Sequence, residues 1–208
     1  MSNSLTLAEK LRSGVVRRWH IVPMAREQTI AEHMYRVQLI AEEILSQLGW
    51  LNWDSSITLN TMEWARIHDL PEVLIGDIPT PAKHLFGESV MVGVRVAEKG
   101  VDRTYKELEE CVSPIGECPW AGYIVRLADI VEAANWASDW AIGQRGRAVA
   151  ELLQREAINA VHCFRERLEQ EQHEHYRTRD EKLRMGAMTI GMPHSLSDLL
   201  INASRGNA

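Results

Sequence analysis

Two adjacent polar residues, His68 and Asp69, close an apolar run that has the spacing of a helix. Pro71 follows them and is expected at the first position of the next helix. The pair therefore lies at a helix end, where both side chains can turn toward one point. A neutral imidazole and a carboxylate aimed at one point form half of a divalent-metal site.

Two more residues of the ligand type, His33 and Asp129, lie on other predicted helices. His33 is on the apolar face of a helix that starts at Thr29, where Glu32 completes the pattern of a capping box. Asp129 falls inside the apolar stripe of a later helix. Helical bundles build metal sites from such inward-facing side chains. Two imidazoles and two carboxylates suit a divalent ion such as Zn, Co, Mn or Fe, and Mg is a further candidate.

Each of these residues also has a purely structural interpretation. His33 could be a core histidine bonded to a backbone carbonyl, and Asp129 could be a buried carboxylate paired with Arg126 or Arg17. A buried carboxylate without a partner costs several kcal/mol, so a cation must meet Asp129 under either interpretation.

Apolar residues recur with helical spacing through the rest of the chain, which predicts an all-α, single-domain bundle. Stretches 15–28 and 77–81 are expected to be non-helical, because Pro23, Pro79 and Pro81 fix their own φ. Helices are predicted over residues 5–12, 29–48, 54–69, 71–75, 88–111, 120–142 and 144–176. We assign residues 1–178 to the bundle and 179–208 to a polar extension, which forms a short helix near 195–202 or a subunit contact in a homo-oligomer.

Composition excludes several classes of protein. The chain has 208 residues, 45% hydrophobic and 25% charged, which is a globular composition. Its net charge of -6 argues against binding to nucleic acid or to a membrane surface. No apolar run approaches the ~20 residues of a membrane span, and the first residues lack a signal-peptide pattern. Three cysteines without a CxxC spacing indicate a reducing compartment, so we expect a cytoplasmic protein.

The order of these ligand candidates along the chain resembles that of the HD-domain metal-dependent phosphohydrolases. Residues 5–145 resemble the bacterial 5′-deoxynucleotidase branch in particular. The matching segments are Arg18-Trp19, Glu32-His33, His68-Asp69-Leu70-Pro71-Glu72, Gly76-Asp77-Ile78-Pro79-Thr80-Pro81 and Asp129. His20 stands where that branch has a proline, and the segment around it is more similar to phage HD-domain enzymes that remove triphosphate from dATP.

This resemblance implies an HD-type fold whose metal ligands are His33, His68, Asp69 and Asp129. A bound divalent ion would neutralise phosphate oxygens and lower the pKa of a water. Glu72, one helical turn after Asp69, is then expected in acid–base catalysis together with Asp77. The alternative for Glu72 is a carboxylate that merely stabilises a helix N-terminus.

The resemblance also implies how a deoxynucleotide would bind. The planar guanidinium of Arg18 suits a phosphate, and Lys83 is a second candidate for that contact. Trp19 is expected to pack on the sugar and to leave no room for a 2′-hydroxyl. Ile21 would border the base, with Pro79 on its other side. The remaining substrate contacts are expected from the loop residues Asp77, Ile78 and Thr80.

We therefore expect hydrolysis of 2′-deoxyadenosine nucleotides, chiefly of dATP to deoxyadenosine and triphosphate. A 5′-deoxynucleotidase acting on monophosphates is the alternative enzyme. Two other classes stay open from the sequence. One is a nucleotide-binding regulator without turnover, and the other is a helical scaffold that buries its histidines and aspartates separately.

Overall fold

A helical bundle surrounds one long central helix. The computed structural model describes residues 4–52, 55–175 and 194–206, without the side chains of 80–87, 89, 171–175 and 194–195. The helices are α1 Leu7–Leu11, α2 Ile30–Gln47, α3 Ser56–Ile67, α4 Glu72–Ile75, α5 Thr80–Val101, α6 Arg103–Cys111, α7 Pro119–Trp140, α8 Gly143–His175 and α9 His194–Ser204. A 3₁₀ turn, Arg12–Gly14, follows α1. All regular elements of the described residues are helical, which confirms the predicted all-α class.

The central helix is α7, which packs against α2, α3, α8 and α9. It begins with Pro119 in its first turn, where the missing N–H of a proline costs no hydrogen bond. Most of its buried positions are branched aliphatic residues or alanines, and the alanines let neighbouring helices approach closely. The middle of α7, which carries Asp129, thus belongs to a group of three mutually packed helices, α2, α3 and α7.

The predicted helix over 88–111 is wrong in its bounds. The structure has two helices there, because Asp102 adopts an extended conformation with φ -144° and ψ 131°. Its carboxylate accepts the N–H of Tyr105 and caps α6. The stiff loop is also shorter than predicted, since α5 begins at Thr80 and accommodates Pro81 in its first turn. Pro71 is the N-cap of α4 rather than its first helical residue.

The predicted capping box of α2 forms only in part. Thr29 Oγ accepts the N–H of Glu32 at 3.2 Å, as expected. The carboxylate of Glu32 instead accepts a hydrogen bond from Arg26 at 2.7 Å. The start of α2 is therefore tied to the preceding loop as well as to itself.

That preceding loop, residues 15–29, is held at both ends. Near its base, Arg17 and Thr29 form an isolated antiparallel bridge. Near its far end, Met24 forms a second bridge with Ala141, just after α7. Two points of attachment fix a segment that has no helix of its own, and the segment contains Arg18 and Trp19.

The C-terminal helix α9 packs on α7 and α8. Leu196 and Leu200 are fully buried there, and burial of such side chains stabilises a fold by roughly 1.5–3 kcal/mol each. Within the predicted polar extension, residues 179–193 lie outside the described residues, and the division at residue 178 stays a prediction. None of the described helices combines the length and apolarity that a membrane crossing demands.

We predict that Asp102→Asn destabilises the protein by about 1–3 kcal/mol at neutral pH. Asp102 is buried and joins α1 to α6, because its carboxylate also accepts the N–H of Leu5 at 3.0 Å and pairs with Lys10 at 3.3 Å. Burial alone would raise the pKa of Asp102, but these partners lower it below its ordinary value.

A carboxylate with a lowered folded-state pKa adds stability above its unfolded pKa and loses it as the pH falls toward the folded value. The stability gap between the native protein and Asp102→Asn should therefore narrow below about pH 5. Urea unfolding at several pH values measures it, with the exposed Asp198→Asn as control. A gap that is the same at every pH would contradict this account.

Candidate metal centre

Three separate elements bring the candidate ligands together. His33 lies in the first turn of α2, and Asp129 lies midway along α7. His68 is the C-cap of α3, and Asp69 follows in the turn before α4. Because α2, α3 and α7 pack against one another, three distant sequence positions come together in one cluster.

The distances within this cluster are short. His33 Nε2 lies 3.2 Å from Asp129 Oδ1 and 3.3 Å from Asp69 Oδ2. His68 Nε2 lies 3.3 Å from His33 Nε2 and 3.8 Å from Asp69 Oδ1. The ligand atoms of His33, His68 and Asp129 all fall within 4.8 Å of one another. Two imidazoles and two carboxylates therefore face one point.

This geometry fits a divalent cation. Ligand atoms ~2.0–2.2 Å from one ion are separated from each other by roughly 3.0–3.5 Å, from the tetrahedral or octahedral angle between the bonds. The observed separations are close to that range. The other ring nitrogen of His68, Nδ1, has a partner that fixes the tautomer of this residue, because it lies 3.0 Å from the carbonyl oxygen of Ala65. A backbone carbonyl accepts only, so Nδ1 carries the proton and Nε2 is left as a lone-pair donor.

A buried carboxylate, Glu132, supports the other histidine. Glu132 Oε2 lies 2.7 Å from His33 Nδ1, and both residues are fully buried. Glu132 Oε1 accepts hydrogen bonds from Gln28 Nε2 and from Arg36 Nε, each at 2.7 Å. Arg18 contributes a further positive charge 3.7 Å from Oε2. The negative charge of Glu132 is thus matched by cations and by donors, as a buried charge requires.

The electrostatics of the cluster favour a cation at its centre. Burial and Arg18 each lower the pKa of His33. The carboxylates that hydrogen-bond its ring outweigh both and raise this pKa to about 10. Burial raises the pKa of Asp69 and Asp129, yet the two histidines lower it below the ordinary value. The aspartates are therefore ionised, and a proton or a metal ion must balance them.

Arg18 and Trp19 lie beside the cluster. The Arg18 side chain is 15% exposed, and its Nη1 has no hydrogen-bond acceptor among the described residues. Burial lowers the pKa of Arg18, but Asp69, Asp129 and the neighbouring glutamates raise it, so the guanidinium stays charged. Trp19 is partly exposed and its indole Nε1 donates to Gln28 Oε1 at 2.7 Å. Arg18 is thus a charged side chain with a spare donor, close to the point where the ligands meet.

The remaining predicted residues differ in burial, and the side chains of two of them lie outside the described residues. Glu72 is buried in the first turn of α4, close enough to Arg18 to raise its pKa. Asp77 Oδ2 lies 3.8 Å from His20 Nδ1. Ile21 is 38% exposed. Ile78 and Pro79 are partly buried. The side chains of Thr80 and Lys83 lie outside the described residues.

Sequence reasoning missed the residues that surround His33. Glu132 was the easiest of these to identify from the sequence, because it lies three residues after Asp129 and on the buried side of a mostly apolar helix. Arg36 gave a second signal, since it follows His33 by three residues on α2. The bridging role of Gln28 had no signal in the chain, because it depends on the path of a non-helical loop. Nor does Asp129 pair with Arg17, which instead forms an ion pair with Glu27.

Comparisons with known proteins agree with this geometry. A dATP triphosphohydrolase of cyanophage S-2L is 30% identical over 145 residues, which are 70% of this chain and 77% of that protein. A dATP triphosphohydrolase of Salmonella phage PMBT28 is 28% identical over 176 residues, covering 83% and 80%. The 5′-deoxynucleotidase YfbR of Salmonella newport is 29% identical over 143 residues, covering 62% and 69%.

The fold has a solved counterpart. The structure of the cyanophage S-2L HD phosphohydrolase DatZ, bound to dA and one catalytic Zn²⁺ ion, matches with a TM-score of 0.66 and 27% identity. The match covers 76% of this chain and 86% of that chain. A family profile described as 5′-deoxynucleotidase YfbR-like matches residues 6–113. The predicted kinship with HD-domain phosphohydrolases is confirmed, and the chain belongs to the 5′-deoxynucleotidase YfbR-like family.

Proposed function

We propose that this protein is a metal-dependent phosphohydrolase that converts dATP and water to deoxyadenosine and triphosphate. The observation that carries the proposal is the convergence of His33, His68, Asp69 and Asp129 beside the charged side chain of Arg18. The names of the phage relatives support the choice of dATP, and the bound dA of DatZ supports a deoxyadenosine pocket.

The four ligand residues would hold one divalent ion. When bound, such an ion acts as a Lewis acid that neutralises phosphate oxygens and lowers the pKa of a water. Zn, Co, Mn and Mg are all compatible with a set of imidazoles and carboxylates. The Zn²⁺ of DatZ makes zinc the first ion to test.

The overall change is the addition of one water across the bond between the α-phosphorus and the nucleoside 5′-oxygen. The hydroxyl stays on phosphorus, and the 5′-oxygen leaves with a proton. We assign the removal of a proton from the water to Glu72, which is buried beside Arg18 and follows Asp69 by one turn. Asp77, at the rim and near His20, would return a proton to the 5′-oxygen.

The phosphate chain would be held by positive side chains. Arg18 offers a spare guanidinium donor, and a fixed fork of donors matches phosphate oxygens. Lys83 would add a second charge farther along the triphosphate. Both are local positive charges in a chain whose net charge is -6.

The sugar and base would be selected by apolar contacts. Trp19 would press its ring against C2′ and leave a 2′-hydroxyl without room or a partner. Ile21 would lie against the C2 edge of adenine, with Pro79 opposite. An apolar side chain at that edge leaves the exocyclic amine of guanine without an acceptor, so adenine is preferred. Ile78, in the loop before α5, and Thr80, the first residue of α5, would complete the pocket.

The family match favours a second candidate function. A 5′-deoxynucleotidase would use the same ligands but would act on deoxynucleoside monophosphates, as the names of the family and of its Salmonella relatives indicate. The two functions differ only in the room and charge beyond the α-phosphate.

We further propose that the protein acts as a homo-oligomer in the cytoplasm. Leu7 and Leu11 lie one turn apart on α1, and their exposed fractions are 73% and 69%. A partner subunit would cover these two apolar side chains, which supports a contact through α1. Three free cysteines without a disulfide are consistent with a reducing compartment.

Incubation of the zinc-loaded protein with dATP and, separately, with dAMP tests the proposed function. We expect deoxyadenosine and tripolyphosphate from dATP, resolved by anion-exchange chromatography. Successive release of single phosphates, or activity confined to dAMP, would contradict the proposal and favour the nucleotidase.

We predict that Asp69→Ala abolishes zinc binding and turnover together. The substitution removes a charged ligand from a cluster in which the paired aspartates balance the ion. Zinc content after dialysis, measured by inductively coupled plasma mass spectrometry, reports the loss directly. The exposed Asp198→Ala is a matched control that should retain zinc. A fully zinc-loaded Asp69→Ala protein would remove Asp69 from the ligand set.

We predict that Glu72→Gln retains zinc but lowers kcat for dATP by ~10²-fold or more. The amide keeps the shape of the side chain and loses the ability to accept a proton. Steady-state kinetics on zinc-quantified samples measure the effect, and the partly exposed Glu63→Gln on α3 is the matched control. Full activity in Glu72→Gln would place the base elsewhere.

A further inference from the structure

Glu132 contacts two parts of the candidate site at once. One of its oxygens faces the Nδ1 atom of His33, and the other accepts the side-chain amide of Gln28, both at 2.7 Å. Arg36 shares the second oxygen. Because Glu132 and Gln28 are fully buried, these bonds have no competition from water.

The orientation of Gln28 follows from its two neighbours. The indole N–H of Trp19 can only donate, so the oxygen of the Gln28 amide must face it, at 2.7 Å. An ionised carboxylate can only accept, so the amide nitrogen of Gln28 must face Glu132. Gln28 therefore joins Trp19 to Glu132 in a single direction, with no alternative flip.

The backbone conformation of Trp19 is one that neighbouring contacts must stabilise. Its backbone φ is +64°, a left-handed conformation that is unfavourable for a bulky side chain. The backbone of the adjacent Arg18 is held by the carbonyl oxygen of Gln28 at 2.9 Å. The same glutamine thus fixes the main chain next to Trp19 and the end of its ring.

At the other end of this chain of hydrogen bonds, Glu132 sets the tautomer of His33. A carboxylate beside Nδ1 keeps a proton on that nitrogen, so that a metal ion can replace the proton on Nε2, the atom that faces Asp69 and Asp129. Without that acceptor, the proton can move to Nε2, and the ring then cannot bind a metal ion through that atom.

We propose that Glu132 and Gln28 are positioning residues that connect the metal ligand His33 to Trp19. Glu132 holds His33 in the tautomer that binds the ion, and Gln28 attaches the Trp19 ring to the same carboxylate. Metal affinity and discrimination between deoxyribose and ribose therefore depend on one buried chain of hydrogen bonds. The sugar part of this inference rests on the proposed function, which assigns Trp19 to the deoxyribose.

Two substitutions separate the two ends of this chain. Glu132→Gln keeps the shape of the side chain but turns an amide N–H, or a neutral oxygen, toward His33, and it no longer fixes the tautomer. Gln28→Met keeps the approximate volume and removes both of its side-chain hydrogen bonds. Matched controls are Glu63→Gln on α3, at a partly exposed residue, and Gln47→Met at the end of α2, at an exposed residue.

The first readout is zinc affinity, measured by calorimetric titration of chelator-treated protein with Zn²⁺. We expect Glu132→Gln to weaken zinc binding by ~10–100-fold and Gln28→Met to weaken it by less than about threefold, because the contact with His33 remains. If Glu132→Gln does not fold, Glu132→Asp replaces it. The shorter side chain keeps the charge near Arg36, withdraws the oxygen from His33, and should weaken zinc binding in the same direction.

The second readout is the ratio of affinities for deoxyadenosine and adenosine, measured by calorimetry on one zinc-loaded sample. A ratio does not depend on the folded fraction, so a merely structural role for Gln28 would leave it unchanged. We expect Gln28→Met to lower the preference for deoxyadenosine by ~10-fold, the effect of one lost buried hydrogen bond. Trp19→Ala is the reference for complete loss of the preference.

Wild-type zinc affinity in both Glu132 variants, or an unchanged sugar ratio in Gln28→Met, would overturn the inference. Failure of the proposed function has a different signature. A wild-type protein that binds zinc but neither nucleoside would contradict the deoxynucleotide assignment and with it the sugar part, while the zinc titration would still decide the role of Glu132.

Discussion

The structure depends on the placement of one imidazole ring among buried carboxylates. His33 is fully buried, and both of its ring nitrogens face acidic groups: Asp69 and Asp129 on one side and Glu132 on the other. Such a concentration of negative charge in a protein interior is unfavourable unless cations balance it. Arg18 and Arg36 balance part of it. The remainder creates a position that attracts a divalent ion.

Three helices of the bundle supply the side chains around this position. The middle of α7 supplies Asp129 and Glu132, the first turn of α2 supplies His33, and the end of α3 supplies the His68-Asp69 pair. Mutual packing of α2, α3 and α7 sets the distances between these ligands, and the small side chains of α7 permit close approach. The irregular loop 15–29 then adds Arg18 and Trp19 to one side of the cluster. In the proposed function, the helices hold the ion and this loop, attached at both ends, forms part of the substrate pocket.

Much of this arrangement was predictable from the sequence. The residues of the ligand set were identifiable because each is a polar residue placed on an apolar face or at a helix end. The break between α5 and α6 was missed because the apolar periodicity was used alone. The signals that mark it are Gly100, near the end of α5, and Asp102, a residue type favoured at helix N-caps. The support of His33 by Glu132 was visible only as a charged residue on a buried face. The bridge through Gln28 depends on tertiary contacts of a loop, which local sequence does not determine.

The central claim is that four side chains from three elements bind one ion. The most direct measurement is an anomalous difference map, recorded at the zinc absorption edge from a crystal grown with Zn²⁺. This account predicts one peak about 2.0–2.2 Å from His33 Nε2, His68 Nε2 and an oxygen of each of Asp69 and Asp129. A map with no peak at this position, or with a peak that His33 or Asp129 does not contact, would contradict the account.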